Sequence, residues 1–186
     1  PYGAIKTVKA EAGYAGRGGP QDDWRMDQSK GGGAIYDMGV YPINAARYAS
    51  GLEPIAVTGR FENDYPEIFT KTDSTAIFDL EFPGGVIAHC ATSVTRNFNQ
   101  LRVDCEKGWY ELQPMQAYNG VQGRTSDGKA LDKKIVHQQA KQMDDDALAI
   151  LNNTDVMVPG IEGLKDIRIV QAVLQSGATG KRVELG

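Results

Sequence analysis

The sequence has few of the residues that bind metals or carry redox chemistry. Its 186 residues include two cysteines, Cys90 and Cys105, and two histidines, His89 and His137. Neither cysteine belongs to a C-x-x-C pair and the histidines are far apart, so no cluster of metal ligands is visible and we expect no metal site. Reduced thiols in the core are the simplest interpretation of the cysteines.

Long apolar runs and blocks of positive charge are missing as well. No apolar stretch approaches the roughly 18 residues of a membrane span, so we expect no membrane partner. The formal net charge is −4 without a long basic run, which disfavours nucleic acid as a partner. The chain begins without a methionine or a signal peptide, and we expect that it is cut from something longer. A cytoplasmic location is expected, with a periplasmic one left open.

The apolar patterns that are present predict three helices and about seven strands. Helices are predicted at Ala34–Ser50, Gln139–Leu151 and Gly163–Gly177. Strands are predicted at 4–12, 53–61, 74–82, 86–95, 101–106, 108–113 and 117–125. The "PGG" at 83–85 predicts a hairpin turn. Strands that cluster as hairpins between helices indicate an α+β fold, with one open-faced, largely antiparallel sheet and helices on one face.

The second face of that sheet is expected to be covered. The predicted strand at 86–95 distributes its apolar residues over both faces: Ile87, Ala88, Cys90, Ala91 and Val94. Because a face that meets only water needs no apolar residues, we expect the second face to contact another subunit or domain.

Two glycine-rich segments raise the possibility of a nucleotide site. They are "GRGGP" at 16–20 and "GGGAIYD" at 31–37. Neither fits G-x-G-x-x-G, and neither lies between a convincing strand and helix. We therefore favour ordinary turn glycines over a dinucleotide-binding loop.

An acid and a phenol, Asp37 and Tyr41, lie four residues apart in the first predicted helix, beside Pro42. This spacing puts both side chains on one helical face, within reach of each other or of a common ligand. Pro42 is expected to leave the carbonyl of Met38 without its helical partner. Because a phenol titrates at about pH 10 and a nearby carboxylate raises that value, Asp37 suits an orienting or proton-sharing role better than activation by charge. A capping Asp37 and a core Tyr41 are an equally open interpretation.

Two segments of the sequence resemble a known family. "WRMDQSKGGGAIYDMGVYPINAARYASGLEPIAVTG" and "VPGIEGLKDIRIVQAVLQSGATGKRVEL" are similar to the C-terminal domain of the glucose–fructose oxidoreductase / inositol dehydrogenase / rhizopine catabolism family. The family pattern is an aromatic–Arg pair, a glycine cluster and then D-x-G-x-[HY]-x-[ILV]-[DN]. Tyr41, where many members have histidine, makes the chain most similar to the glucose–fructose oxidoreductase branch.

The resemblance implies a two-domain, NAD(P)-dependent sugar oxidoreductase. Its N-terminal half would be a Rossmann domain that binds NAD or NADP and carries a catalytic lysine in an E-K-P motif. Residues 1–186 would be the C-terminal half, which binds the sugar and forms a homodimer or homotetramer through the sheet face. The chain has neither G-x-G-x-x-G nor E-K-P, so we expect that alone it binds no cofactor and is inactive.

The resemblance also implies roles for individual residues. Tyr41 would be the acid/base that exchanges a proton with the sugar, and Asp37 would orient Tyr41 and hydrogen-bond the substrate. Arg25 is a candidate for the rim of the substrate pocket, and Asn44 for the same face as Tyr41. Arg47 is either a substrate-binding residue or a structural anchor.

Two other hypotheses stay open: a non-catalytic binding or scaffold domain on this fold, and an Asp/Tyr enzyme that uses no nicotinamide.

Overall fold

An eight-stranded sheet organises the chain in a computed structural model that describes residues 2–16 and 23–186. The strands of the chain are β1 Ile5–Gly13, β2 Ala56–Glu62, β3 Thr75–Glu81, β4 Ile87–Ser93, β5 Phe98–Cys105, β6 Gly108–Leu112, β7 Gly120–Val121, β8 Gly123–Thr125, β9 Lys133–Lys134 and β10 Val183–Glu184. The helices are α1 Ala34–Asp37, α2 Val40–Ser50, α3 Gln138–Asn152 and α4 Gly160–Thr179.

The strand order of the sheet is β10-β2-β3-β4-β1-β5-β6-β8. Neighbouring strands are antiparallel except β1 and β4, which are parallel and form the centre. The predicted hairpin is confirmed: β3 and β4 pair with Phe78 opposite Cys90, and Gly84 and Gly85 turn the chain at positive φ. The predicted α+β fold with a largely antiparallel sheet is confirmed as well.

Helices α1, α2 and α4 lie on one face of the sheet. α2 packs on β1, β4 and β5, α4 on β2, and α1 on β3 and β4. The core between these layers is built from alternate strand residues and from the inner faces of the helices, among them Val8, Phe78, Leu80, Val103, Ile43 and Val173. Both cysteines are free; Cys90 is buried in this core, and its burial raises the pKa of the thiol.

The other face of the sheet is mostly polar. Residues with opposite charges or hydrogen-bonding groups follow one another across neighbouring strands in a row: Asp79, His89, Lys9, Arg102 and Glu111. The Nδ1 atom of His89 lies 2.8 Å from a carboxylate oxygen of Asp79, and the guanidinium of Arg102 lies 3.9 Å from the ring centre of Trp109. In β4, Ala88 and Cys90 point into the core while Ile87 and Ala91 point to this second face.

The predicted single helix at Ala34–Ser50 is wrong in one respect, because the chain breaks between α1 and α2 at Met38 and Gly39. A side chain at Gly39 would collide with the carbonyl oxygen of Ile35. The break puts Pro42 in the first turn of α2, where no intrahelical donor is required. Pro42 has no N–H, so the Met38 carbonyl lacks its i+4 helical partner as expected, and it accepts a hydrogen bond from Tyr41 N at 3.2 Å instead.

The C-terminal third follows the predicted order with shifted bounds. α3 agrees with the predicted helix to within a residue at each end, whereas α4 begins three residues earlier than predicted, directly after Pro159. The predicted strand at 117–125 is two short strands, β7 and β8, which belong to different sheets. No helix within the described residues is long and apolar enough to span a membrane.

Candidate functional site

A distant loop fixes the start of α1, the one-turn helix that ends in Asp37. The side chain of Asp73, between β2 and β3, accepts a hydrogen bond from Ile35 N at 2.9 Å, and its backbone carbonyl accepts one from Ala34 N at 3.2 Å. Gly33, with φ of 101°, precedes the helix, and a side chain there would collide with Thr72 and Asp73. Burial of Asp73 raises the pKa of its carboxyl group.

The same contacts bear on the glycine-rich segment at 31–37. Backbone N–H groups at a helix start can hold a phosphate, but here Gly33 N donates to Arg25 O at 2.9 Å, and the next two are taken by Asp73. A buried carboxyl group at this position is also unfavourable for an anion. Residues 31–37 therefore do not fit the phosphates of a dinucleotide. The segment "GRGGP" lies outside the described residues apart from Gly16.

Asp37 projects from the end of α1 into a small cavity. The Tyr14 hydroxyl donates a hydrogen bond to Asp37 Oδ2 at 3.2 Å. Burial, followed by the charge of Asp37, raises the pKa of the Tyr14 phenol. The cavity has a volume of about 50 Å³ and is lined by Tyr14, Gly16, Arg25, Met26, Gly33, Asp37, Phe69 and Val94. The structure thus brings together two of the predicted site residues, Asp37 and Arg25.

Tyr14 is the member of this site that sequence reasoning missed. It is the first residue after β1. In the sequence it is an aromatic residue at the end of a predicted strand, and this position does not indicate that its partner is Asp37, 23 residues further along the chain.

Tyr41 lies in the first turn of α2 and is 47% exposed, which rules out a core Tyr41 in this structure. Because the chain breaks before α2, the four-residue spacing from Asp37 is not a helical spacing. Within the part of the chain that the structure describes, no hydrogen bond joins Asp37 and Tyr41, and Tyr41 is not among the residues that line the cavity.

Asn44 and Arg47 face α4 instead. Asn44 Nδ2 donates to Asp166 at 3.1 Å. Arg47 is 4% exposed and forms ion pairs with three carboxylates, at 2.7 Å with Glu53, 2.6 Å with Glu162 and 2.5 Å with Asp166. Hydrogen bonds from Arg47 lower the pKa of Glu53 to about 2. These contacts favour a structural anchor over a substrate-binding role for Arg47.

The sheet with helices on one face matches the C-terminal domain of a family of oxidoreductases. Residues 2–111 match the model of the GFO/IDH/MocA C-terminal domain. The chain belongs to this family.

Similar proteins act on sugars and polyols, according to their names. D-xylose 1-dehydrogenase [NADP(+)] of Haloarcula marismortui is 27% identical over 173 residues, which are 88% of this chain and 47% of that protein. Aldose-aldose oxidoreductase from Caulobacter crescentus, solved with glycerol, is 31% identical with a TM-score of 0.87 over 99% of this chain and 56% of that one.

Myo-inositol 2-dehydrogenase from Lactobacillus plantarum, at 20% identity and a TM-score of 0.77, shares the fold over 100% of this chain and 58% of that one. The chain thus spans about half the length of the relatives that it matches.

Proposed function

We propose that this chain is the substrate-binding half of an NAD(P)-dependent oxidoreductase that acts on an aldose or a related polyol. The observation that carries the proposal is the meeting of Asp37 and Arg25 at one cavity, with Tyr41 exposed four residues further on. Two comparisons support the proposal. The chain belongs to the GFO/IDH/MocA family, and the relatives from Haloarcula marismortui and Caulobacter crescentus are both named for aldoses.

Tyr41 is proposed to handle the proton of the reaction. Oxidation of an aldose at its hemiacetal carbon removes a hydride from the carbon and a proton from the hydroxyl group. As a phenolate, the Tyr41 oxygen would take up that proton, and as a phenol it would return it in the reverse direction. Because a phenol ordinarily titrates at about pH 10, this role needs a nearby cation, which the resemblance assigns to a lysine in the other half.

Asp37 is proposed to hold a hydroxyl group of the sugar. One of its oxygens, Oδ2, accepts the hydrogen bond from Tyr14. A carboxylate can accept several hydrogen bonds, and no other donor among the described residues binds the Asp37 side chain, so Oδ1 can accept one from a substrate hydroxyl. This replaces the expectation that Asp37 orients Tyr41 through a direct contact.

The hydride acceptor, NAD or NADP, would be supplied by a second half of the protein. The relative from Haloarcula marismortui is named for NADP(+). The described residues of this chain offer no phosphate site at 31–37, so a Rossmann half is proposed to hold the dinucleotide.

α3 supports the proposal of a second half. Its inner side carries the half-buried acids Asp145 and Asp146, whereas Met143, Ile150 and Leu151 are 70%, 76% and 80% exposed. An amphipathic helix with its apolar side outward requires a partner. We propose that the cofactor-binding half covers this side of α3.

The open face of the sheet is proposed to form a homodimer or homotetramer contact. Its ion pairs and its few apolar residues, Ile77, Ile87 and Ala91, make it self-complementary in chemistry. A sheet face of this kind can bury more than about 1,000 Å², the lower size of a specific interface.

A panel of aldoses and polyols tests the activity in the full two-domain enzyme, with NAD⁺ and NADP⁺ in turn. Formation of reduced nicotinamide with at least one aldose is expected. Turnover that continues only when a second aldose is present as acceptor would identify an aldose–aldose oxidoreductase. Aldose binding without turnover of any substrate would favour the alternative of a non-catalytic binding or scaffold domain.

A further inference from the structure

We infer that Tyr14 is a positioning residue that fixes Asp37 and completes a subsite for one hydroxyl-bearing end of a neutral aldose. This inference rests on the proposed function, and it adds a residue and a specificity that neither the family match nor the relatives' names supply.

The backbone holds Tyr14 firmly at the end of the sheet. Tyr14 N donates to Ser93 O at 3.0 Å, Ala15 N to Asn97 Oδ1 at 2.9 Å, and Gly16 N to Val94 O at 2.9 Å. Three consecutive amides are thus tied to the last residue of β4 and the segment that follows it. A side chain at Gly16 would collide with the Tyr14 ring, so glycine lets the chain pass close beside the phenol.

The Tyr14 hydroxyl limits the orientations of the Asp37 carboxylate. Its 3.2 Å hydrogen bond to Oδ2 directs that oxygen towards Tyr14, and Oδ1, which has no donor among the described residues, can accept from a ligand. Without the hydroxyl, the carboxylate would rotate about its last torsion, which is broad in aspartate. Binding of a ligand would then have to order the Asp37 carboxylate, and the entropy lost would weaken the binding.

The other cavity walls define the kind of group that fits. Met26, Phe69 and Val94 form an apolar side, suited to the C–H groups of a sugar. Arg25, whose guanidinium lies 4.5 Å from the ring centre of Trp24, brings a positive charge and forms an ion pair with Asp23 at 3.5 Å. Among the described residues, Arg25 is paired with Asp23 and Asp37 adds a negative charge, so the site favours a neutral polyol end over a sugar phosphate.

A double-mutant cycle in the full two-domain enzyme tests the inference, with D-xylose as substrate. Tyr14→Phe keeps the ring and removes the hydroxyl, and we expect kcat/KM to fall roughly tenfold, the effect of one hydrogen bond to a charged group. In combination with Asp37→Asn, Tyr14→Phe should cause little further loss, because its effect passes through Asp37. Tyr118→Phe, at an exposed tyrosine outside the cavity, is the matched control.

Binding to the chain itself provides a second readout. With carbon-13 in the tyrosine rings, the Tyr14 resonance should shift saturably as D-xylose is added, while the Tyr118 resonance stays in place. Additive losses in the cycle, or a Tyr14 resonance that does not move, would overturn the inference even if the enzyme oxidises aldoses. If instead Tyr41→Phe retains full turnover, the proposed function fails, and that result is separate from the cycle.

Discussion

The carboxylate of Asp73 lies 2.9 Å from the backbone nitrogen of Ile35, a residue 38 positions earlier in the chain. A one-turn helix has little stability of its own, so α1 depends on this cap. The cap therefore connects a loop that takes no part in the proposed chemistry to the position of Asp37, at the other end of the same turn.

Two substitutions of Asp73 should distinguish the contribution of its hydrogen bonds to stability from that of its charge. Asp73→Ala removes the cap, and we expect the free energy of unfolding to fall by about 0.5–2 kcal/mol. Asp73→Asn keeps an accepting oxygen, so it should cost less. Denaturant unfolding at neutral pH measures both, with Asp132→Ala, at an exposed acid, as the control. Equal losses in the two Asp73 variants would contradict the account.

The pH dependence of stability should also change in Asp73→Asn. Burial raises the pKa of Asp73 above its ordinary value of 3.8, so the folded state binds more protons than the unfolded chain between the two values. The contribution of Asp73 to stability therefore falls as pH rises through this window. In Asp73→Asn, the free energy of unfolding should no longer fall with rising pH in this window. A pH profile equal to that of the wild type would show that Asp73 does not cause the fall.

Arg47→Met tests whether Arg47 is an anchor. The substitution leaves Glu53, Glu162 and Asp166 around an uncharged side chain, and we expect a loss of roughly 3–5 kcal/mol, as for a broken buried ion pair. Arg60→Met, which removes one exposed ion pair with Glu62, should cost less than about 1 kcal/mol. Thermal unfolding of both variants decides the point. Wild-type stability with weakened sugar binding in Arg47→Met would assign Arg47 to the substrate site instead.

Hydrogen–deuterium exchange tests the partner proposed for α3. Amides of 138–152 should exchange more slowly in the full two-domain protein than in this chain alone, since the second half would cover the apolar side. Met143→Glu together with Ile150→Glu should reverse that protection, whereas Tyr118→Glu should leave it in place. Protection that appears in this chain alone and grows with concentration would identify a second copy as the partner.

Light scattering tests the open sheet face. The chain should self-associate, and Ile87→Lys, which puts a charge on one of the few apolar positions of that face, should shift it towards monomer. Val136→Lys changes an exposed residue outside the sheet and should have no such effect. A chain that is monomeric at every concentration would contradict the proposed contact.

Local patterns predicted much of the fold. The alternation in 74–82 and the "PGG" turn were sufficient for the β3–β4 hairpin, because a hairpin is formed by residues close in sequence. The break after Asp37 was not predicted, because 34–50 fits a helical pattern throughout. The cap from Asp73 and the close approach of Gly39 to Ile35 are tertiary contacts, and they favour the break.

The site was predictable only where a motif marks it. Asp37 and Arg25 were identified through the family pattern, and the structure places both at one cavity. Two of the three carboxylate partners of Arg47 lie 115 and 119 positions further along the chain, in α4, so its sequence neighbours could not decide between anchor and substrate contact. Tyr14, directly after β1, meets Asp37 across 23 positions of the chain, and no local pattern shows such a tertiary contact.

Turnover of Tyr41→Phe in the full two-domain enzyme tests the central claim most directly. Tyr48→Phe is the matched control, since Tyr48 lies two turns further along the same face of α2 and is also exposed. If Tyr41 carries the proton, kcat on aldoses should fall by roughly 10²–10⁴-fold in Tyr41→Phe, with cofactor affinity and folding unchanged, and Tyr48→Phe should retain normal kcat. Near-normal turnover of Tyr41→Phe on every aldose that the enzyme oxidises would contradict the account.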